Sequence, residues 1–225
     1  MATPYVTINV DEVVSTQDLA VEELQRTDRP VLIVANRQTA GRGRSGNEWW
    51  QAPRGVAASL AFATGVFEVG EAFSLAVGLA VRSAVFAVAG VEISLKWPND
   101  LELGTVKVGG ILVESDGERT VVGCGLNLWW PEPPSGVGAV FPSDPGPEVG
   151  VWISEAWGDA LFASMGQWDR EAYMLASSTL GQTLTWEPDG LGRAVDIDAA
   201  GGLVVSTVDG EVTLRSGEVR AVREV

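Results

Sequence analysis

The strongest constraint on the fold is a change in sequence pattern near Leu180. Before it, apolar runs that suit buried strands are interspersed with stretches of helical periodicity. From Gly181 onward the apolar segments are only three to seven residues long. The turns that separate them are Pro188-Asp189-Gly190, Ala200-Gly201-Gly202, Asp209-Gly210 and Ser216-Gly217. Short strands between regularly spaced turns are typical of a small β-barrel. The sequence therefore predicts two domains, residues 1–180 and residues 181–225.

The two domains differ in how much core they can build. The second has only 45 residues, too few for an independent core, so we expect it to pack against the first. In the first, apolar periodicity predicts helices and strands in turn. The predicted helices are residues 16–26, 72–88 and 155–178, and the predicted strands are residues 31–35, 55–63, 91–97, 105–114 and 119–126. Residues 131–150 are rich in proline and glycine and are predicted to form a long loop.

The composition excludes several classes of active site. The chain has no histidine and a single cysteine, Cys124. Without histidine it cannot hold a Ser–His–Asp triad or a histidine-ligated zinc ion. One cysteine cannot form an internal disulfide or a CxxC motif, which is typical of a protein in a reducing compartment.

Charge and hydropathy indicate where the protein acts. Thirty acidic against 15 basic side chains give a net charge of −15, which repels phosphate backbones and argues against DNA binding. The first five residues lack the basic segment and apolar run of a secretory signal. The longest apolar stretch, residues 72–91, is interrupted by polar residues and fits a buried helix better than a membrane span. We expect a cytoplasmic protein that binds neither DNA nor a membrane.

One segment opposes this acidic background. Residues 36–54 contain four arginines and one glutamate. They include the run Gly41-Arg42-Gly43-Arg44-Ser45-Gly46. A flexible glycine loop that carries two guanidinium groups can close over phosphate or carboxylate oxygens. This arginine island therefore predicts an anion-binding site, the alternative being a loop that is basic without function.

Three further motifs combine glycine with polar side chains. The first, Lys96-Trp97-Pro98-Asn99-Asp100, contains one of only two lysines, and its alternative interpretation is an ordinary turn with Trp97 in the core. The second, Lys107-Val108-Gly109-Gly110, contains the other lysine on a strand whose glycines let a ligand approach the backbone. The third is Gly123-Cys124-Gly125-Leu126-Asn127. We expect its cysteine to be a small buried residue.

Together these motifs resemble the biotin–protein ligases, also called biotin–[acetyl-CoA-carboxylase] ligases. The matching segments are residues 15–17, 38–46 with Trp49, 96–101, 107–114 and 123–127, in the family's order and spacing. Residues 192–198, 201–203 and 216–219 are similar to the family's C-terminal SH3-like barrel. The resemblance implies an α+β fold in which a mixed-sheet catalytic domain, similar to class II synthetases, precedes that barrel.

The resemblance also implies a reaction and its site. The protein would activate biotin with ATP, accompanied by Mg²⁺, and form biotinyl-5′-AMP. Lys107, Arg44 and Asp100 would be the catalytic residues, with Asp100 orienting either the acceptor amine or Mg²⁺. The implied biotin-binding residues are Ser15, Thr16, Gln17, Gln38, Gly41, Arg42, Gly43, Arg44, Lys107 and Gly110. The implied ATP-binding residues are Arg42, Arg44, Trp49, Asn99, Lys107 and Asn127. No residue is assigned to a metal.

The implied acceptor is a lysine of the biotin carboxyl carrier domain of an acetyl-CoA or acyl-CoA carboxylase. The catalytic motifs begin close to residue 1, so we expect the monofunctional form without a DNA-binding domain. A lipoate–protein ligase and an inactive biotin-binding module are the alternative functions. The sequence leaves open which carboxylase subunit is modified and whether the protein is a monomer or a homodimer.

Overall fold

The computed structural model of the protein describes residues 3–222 and contains two β-sheets. The strands of the first sheet are β1 (Val6–Val13), β2 (Val31–Gln38), β3 (Arg54–Ala63), β4 (Ser94–Lys96), β5 (Asp100–Leu103), β6 (Val106–Ser115) and β7 (Arg119–Trp129). The helices are α1 (Thr16–Thr27), α2 (Phe73–Ala89), α3 (Glu148–Ala163) and α4 (Arg170–Ala176). The strands of the second sheet are β8 (Thr183–Trp186), β9 (Gly190–Ile197), β10 (Leu203–Thr207), β11 (Gly210–Leu214) and β12 (Val219–Ala221).

The first sheet is mixed, as expected for the α+β class. Its order is β1-β2-β3-β7-β6-β5-β4, and only the β1–β2 pair is parallel. Alternate side chains of β2 point to opposite faces. Val31 and Ile33 belong to a small core cluster with Ala20 and Leu24 of α1. Leu32 of β2 faces the other way, into the large cluster that α2 and α3 cover. The sheet is therefore a layer between helices.

The second sheet is antiparallel throughout, with the order β11-β10-β9-β8-β12. Its buried residues belong to the same large core cluster as the first sheet, among them Leu184, Ile197 and Val205. Trp97 connects the two parts directly, because its indole Nε1–H donates a 2.9 Å hydrogen bond to the carbonyl of Gly201.

Several predicted element bounds need correction. The predicted helix over residues 155–178 is two helices, α3 and α4, because Met165 and Gly166 have positive φ angles of 53° and 69° that end the first helix. α3 also begins at Glu148, inside the predicted loop. The predicted strand of residues 91–97 contains only the three residues of β4. β1 is absent from the predicted strands, although Val6, Ile8 and Val10 alternate with polar residues at period two, the pattern of a half-buried strand.

None of the helices within residues 3–222 combines the length and the apolar character that a membrane crossing requires.

We predict that Trp97→Phe lowers the free energy of unfolding by about 1–3 kcal/mol, because the buried carbonyl of Gly201 loses its donor. Trp97 is only 2% exposed. Trp152→Phe is the matched control, since Trp152 is 55% exposed. Urea denaturation of both variants is the measurement. Equal losses in the two variants would contradict this role for the indole hydrogen bond.

Candidate functional site

Small residues in three neighbouring strands create a cavity of about 270 Å³ on the first sheet. Gly125 of β7 pairs with Ala57 of β3 on one side and with Gly110 of β6 on the other. Gly123, two residues away, shares the same face of the sheet. Because these four residues have no side chain larger than a methyl group, the sheet surface is hollow there. Each of them lines the cavity.

The first turn of α1 forms one wall of the cavity. The helix begins after Ser15, whose side chain accepts from the backbone N–H of Asp18, as expected for an N-cap. Thr16 donates from its backbone N–H to Oε1 of Gln38 over 2.7 Å, and its hydroxyl donates to the same oxygen over 2.9 Å. These bonds fix the orientation of the Gln38 amide, so that the Nε2 donor is the end still available to a ligand.

Gln17 presents an unused hydrogen-bond donor. Its side chain is 5% exposed, lines the cavity and packs against Gly123. Its Nε2 is buried without a hydrogen-bond partner among the described residues. Burying an amide donor without an acceptor costs about 1–3 kcal/mol. A ligand carbonyl would supply that acceptor.

Both lysines of the chain meet at one carboxylate. Nζ of Lys107 lies 2.5 Å from Oδ1 of Asp100, and Nζ of Lys96 lies 3.9 Å from Oδ2 of the same residue. Lys96 also lies 3.8 Å from Oε1 of Glu102. The bulged β5–β6 pairing places Asp100 opposite Gly110, beside the cavity floor. This geometry concentrates two ammonium groups at one end of the cavity.

In the folded chain, three of the four arginines of the arginine island are paired with carboxylates distant in sequence. Arg37 pairs with Glu12 at 3.0 Å, Arg42 with Asp18 at 2.8 Å and Arg54 with Asp144 at 2.8 Å. The hydrogen bond from Arg42 lowers the pKa of the Asp18 carboxyl below its usual range, and the hydrogen bond from Arg54 does the same for Asp144.

Arg44 is the exception in the island. Its Nη1 donates to Oδ1 of Asn99 over 3.0 Å, and within residues 3–222 no carboxylate lies within 4.0 Å of it. Asn99 is fixed in turn, since its Nδ2 donates to the carbonyl of Ile111 over 2.9 Å. Arg44 is thus the member of the island that can offer a whole positive charge to a ligand.

The loop that carries Arg42 and Arg44 has a defined shape. The N–H of Gly43 donates to the carbonyl of Asn47 over 2.7 Å, and the N–H of Trp49 donates to the carbonyl of Gly41 over 3.0 Å. The indole of Trp49 lies over the glycine floor, where a Cβ built on Gly125 would come within 2.6 Å of it. The loop therefore lies along the cavity with one aromatic ring inside it.

The cavity brings together most of the residues that the resemblance implied, but not all of them. Those that line it are Thr16, Gln17, Gln38, Arg42, Gly43, Arg44, Trp49, Asn99, Asp100, Lys107 and Gly110. Ser15, Gly41 and Asn127 are not among the lining residues. Asn127 is buried, and its Nδ2 donates to the carbonyl of Gly138 over 3.0 Å. In this structure it holds the loop after β7.

Three features of the site were missed in the sequence. The hydroxyl of Ser59, which is fully buried, lies 2.7 Å from that of Thr16. A lone serine in the apolar run of β3 was the available signal. Gln51 holds Gln38 in place by accepting from its N–H over 2.8 Å. Residues 217–220 of the second sheet also line the cavity, which no local pattern could have indicated.

Cys124 lies between the two glycines of β7 but faces the core, where it is 3% exposed. Burial raises the pKa of its thiol to about 12. A thiol with such a pKa is inert near neutral pH. This agrees with its interpretation as a small buried residue rather than a nucleophile.

We predict that Gly125→Ala destabilises the protein because the new methyl group displaces Trp49. The same substitution should cost less in a Trp49→Ala background, with a coupling energy of at least about 1 kcal/mol. Gly70→Ala is the control, since a Cβ there meets open space. Urea denaturation of the single and double variants is the measurement. Additive effects would show that the indole does not rest on Gly125.

The sequence profile of the biotin/lipoate A/B protein ligase family matches residues 10–128, which are 119 of the 225 residues. The chain belongs to this family.

Individual relatives and structures agree with this assignment. The chain is 28% identical over 212 residues to the biotin–[acetyl-CoA-carboxylase] ligase of Paracoccus denitrificans, covering 83% of this chain and 88% of that one. It is 32% identical over 126 residues to the bifunctional ligase/repressor BirA of Bacillus spizizenii, which is 52% of this chain but only 39% of that longer protein. The biotin protein ligase of Aquifex aeolicus in complex with biotin and ATP superposes with a TM-score of 0.79 at 28% identity, over 97% of this chain and 99% of that one.

Proposed function

We propose that the chain is a biotin–protein ligase, which activates biotin with ATP and transfers it to a protein lysine. The observation that carries this proposal is the single cavity in which Lys107, Arg44 and the amide of Gln17 converge from separate segments of the chain. Cations suit a carboxylate and a phosphate, and the unpaired amide donor suits a urea carbonyl. The relatives named above support the same substrates.

In the first step, the biotin carboxylate attacks the α-phosphate of ATP, a P–O bond forms and pyrophosphate leaves. Both reactants are anionic, so the step requires positioning and positive charge rather than a general base. We assign to Lys107 the neutralisation of the two reacting groups. Arg44, which has no carboxylate partner among the described residues, would bind the phosphate of the adenylate once it has formed and so retain it.

In the second step, a lysine amine of the carrier domain attacks the biotinyl carbonyl, and AMP leaves. As the amide bond forms and the bond between the carbonyl carbon and the phosphate oxygen breaks, the amine loses a proton, which passes to water. Asp100 is the nearest carboxylate to the cavity end that holds the lysines. We propose that it first positions Lys107, and that its second oxygen orients the incoming amine.

The binding assignments follow the geometry of the cavity walls. We propose that Thr16, Gln17 and Gln38 hold the bicyclic end of biotin, while Asn99, Arg44 and Trp49 lie on the nucleotide side. Ser15, Gly41 and Asn127 would act through the backbone that they shape, since they do not line the cavity in this structure.

Mg²⁺ accompanies ATP in this proposal but is given no protein ligand. The described residues contain no cluster of three or more groups that could hold a metal ion. The carboxylate of Asp100 faces two ammonium groups, a setting that disfavours a cation. We therefore assign Asp100 to the lysines rather than to the metal.

The second sheet completes the proposed enzyme. We propose that residues 181–225 are an SH3-like barrel, with residues 223–225 lying outside the described part of the chain. Five antiparallel strands, in which β12 returns to pair with β8, support this proposal. Residues 178 and 179, just before the second sheet, are hydrogen-bonded to the first sheet. The hydroxyl of Thr179 accepts from the N–H of Trp97 over 2.9 Å, and the hydroxyl of Ser178 donates to Oε2 of Glu102 over 2.8 Å.

The partner we propose is a biotin carboxyl carrier domain of an acyl-CoA carboxylase, in the cytoplasm. A single buried cysteine suits a reducing compartment. The net charge of −15 suits a protein acceptor better than DNA.

The direct test is pyrophosphate exchange into ATP with biotin or lipoate as the acid. We expect exchange with biotin and none with lipoate. Exchange with lipoate alone would instead identify a lipoate–protein ligase. A chain that folds and binds biotin but exchanges no pyrophosphate would be a binding module, and the enzyme proposal would be wrong.

We predict that Lys107→Ala slows adenylation about a hundredfold, equivalent to roughly 3 kcal/mol of transition-state stabilisation. The reason is the loss of the ammonium group beside two reacting anions. Arg26→Ala removes an equal charge from an exposed position and should leave the rate unchanged. The burst of pyrophosphate release in a single turnover is the measurement. A near-normal burst in the Lys107 variant would remove this lysine from the reaction.

We predict that Arg44→Gly still forms the adenylate but releases it, because Lys107 remains while the loop loses its contact with Asn99. The released mixed anhydride reacts with any lysine amine, so bystander proteins become biotinylated. The measurement is a streptavidin blot after incubation with ATP, biotin and serum albumin, with Arg44→Lys as the charge-preserving control. Loss of adenylate formation together with a blank blot would instead assign Arg44 to the phosphate chemistry.

A further inference from the structure

Arg42 is held by two carboxylates from different elements of the fold. Its Nη1 and Nη2 donate to the two oxygens of Asp18 over 2.9 and 2.8 Å, a bidentate pair. Nη2 also donates to Oε2 of Glu114 over 3.3 Å. Asp18 lies in the first turn of α1, directly after Thr16 and Gln17 of the cavity wall. Glu114 lies on β6, four residues after Gly110 of the floor.

This ion-pair cluster anchors the whole loop. Arg42 forms an antiparallel bridge with Glu48, and the Gly43–Asn47 hydrogen bond closes the segment between them. These hydrogen bonds within the loop make residues 42–49 one unit, so that an anchor at Arg42 restrains the position of the whole segment. The contact between Arg44 and Asn99 fixes the loop at a second point.

We propose that Asp18 and Glu114 are positioning residues that hold Arg42 across the mouth of the cavity and thereby slow the escape of the reaction intermediate. This inference rests on the proposed adenylation activity. Neither carboxylate is among the residues that line the 270 Å³ cavity. Both therefore act through Arg42 and not on the reacting atoms.

The solvent exposure of the three side chains determines how strongly these ion pairs can slow release of the intermediate. The side chains of Arg42, Asp18 and Glu114 are 41%, 61% and 49% exposed. An exposed ion pair stabilises its closed form only slightly, so the loss of one carboxylate should speed release by about threefold. The bidentate geometry with Asp18 is the stronger of the two. High salt should speed release from the original protein and change the double variant less.

The variants are Asp18→Asn, Glu114→Gln and the double variant, with Asp18→Glu as the conservative form. Glu22→Gln is the matched control, because Glu22 also lies on α1 but pairs with Arg26 of the same helix instead of with the loop. Each protein is loaded with biotin and ATP and freed of substrates, and the release of biotinyl-AMP is followed in time. Adenylate formation is measured in the same preparations by the single-turnover burst.

We expect release to accelerate about threefold in Asp18→Asn, less than that in Glu114→Gln and more than threefold in the double variant, with formation within about twofold of the original. Asp18→Glu should restore slow release. Release equal to that of the Glu22 control would overturn the inference. Parallel loss of formation and retention would also overturn it, since a positioning residue of the loop acts on retention alone.

Hydrogen exchange of the ligand-free protein separates failure of this inference from failure of the proposed function. We expect the backbone amides of residues 41–49 to exchange faster in Asp18→Asn than in Glu22→Gln. Absence of biotin-dependent pyrophosphate exchange in the original protein would refute the proposed function. Unchanged amide exchange in the variant would overturn the inference whether or not the protein is active.

Discussion

The site depends on the close approach of side chains to the backbone of β7. Gly125 pairs with Ala57 and Gly110, and the indole of Trp49 occupies the space above it. A Cβ at this position would lie 2.6 Å from the ring, closer than real contacts allow. One row of small residues across three strands thus decides that this face of the sheet is a cavity, while the opposite face, with Cys124, is core.

The sequence predicted the parts of the fold that depend on local pattern. Apolar periodicity correctly predicts the core helix α2 and the strands β2, β3, β6 and β7. The missed strand β1 alternates apolar and polar residues from Val6 to Val10, so its existence could be predicted. Its parallel pairing with β2, between residues 25 apart, could not be predicted from periodicity. The break between α3 and α4 depends on the backbone of Met165, a residue type that rarely adopts a positive φ.

Ion pairs between residues distant in sequence were likewise not predictable from local pattern. Along the chain, residues 36–54 form a basic island, and that local excess of charge predicts an anion site. In the folded chain, Glu12, Asp18 and Asp144 neutralise three of its arginines. The two lysines, by contrast, are 11 positions apart in the sequence but share Asp100. Pairing across the fold, and not the local excess of charge, decides which cations a ligand would meet.

That pairing has a consequence for the proposed reaction. Lys107 is matched by Asp100 and Arg42 by Asp18, so that of Lys107, Arg42 and Arg44 only Arg44 lacks a carboxylate partner among the described residues. Biotin and ATP together bring several negative charges into the cavity, whereas biotinyl-AMP retains one, on its phosphate, after pyrophosphate has left. A site whose cations are mostly neutralised by its own carboxylates complements the singly charged intermediate better than the highly charged substrates. Electrostatic complementarity of this kind favours formation of the intermediate and its retention, because each additional ligand charge would have to displace a carboxylate that the fold has already placed.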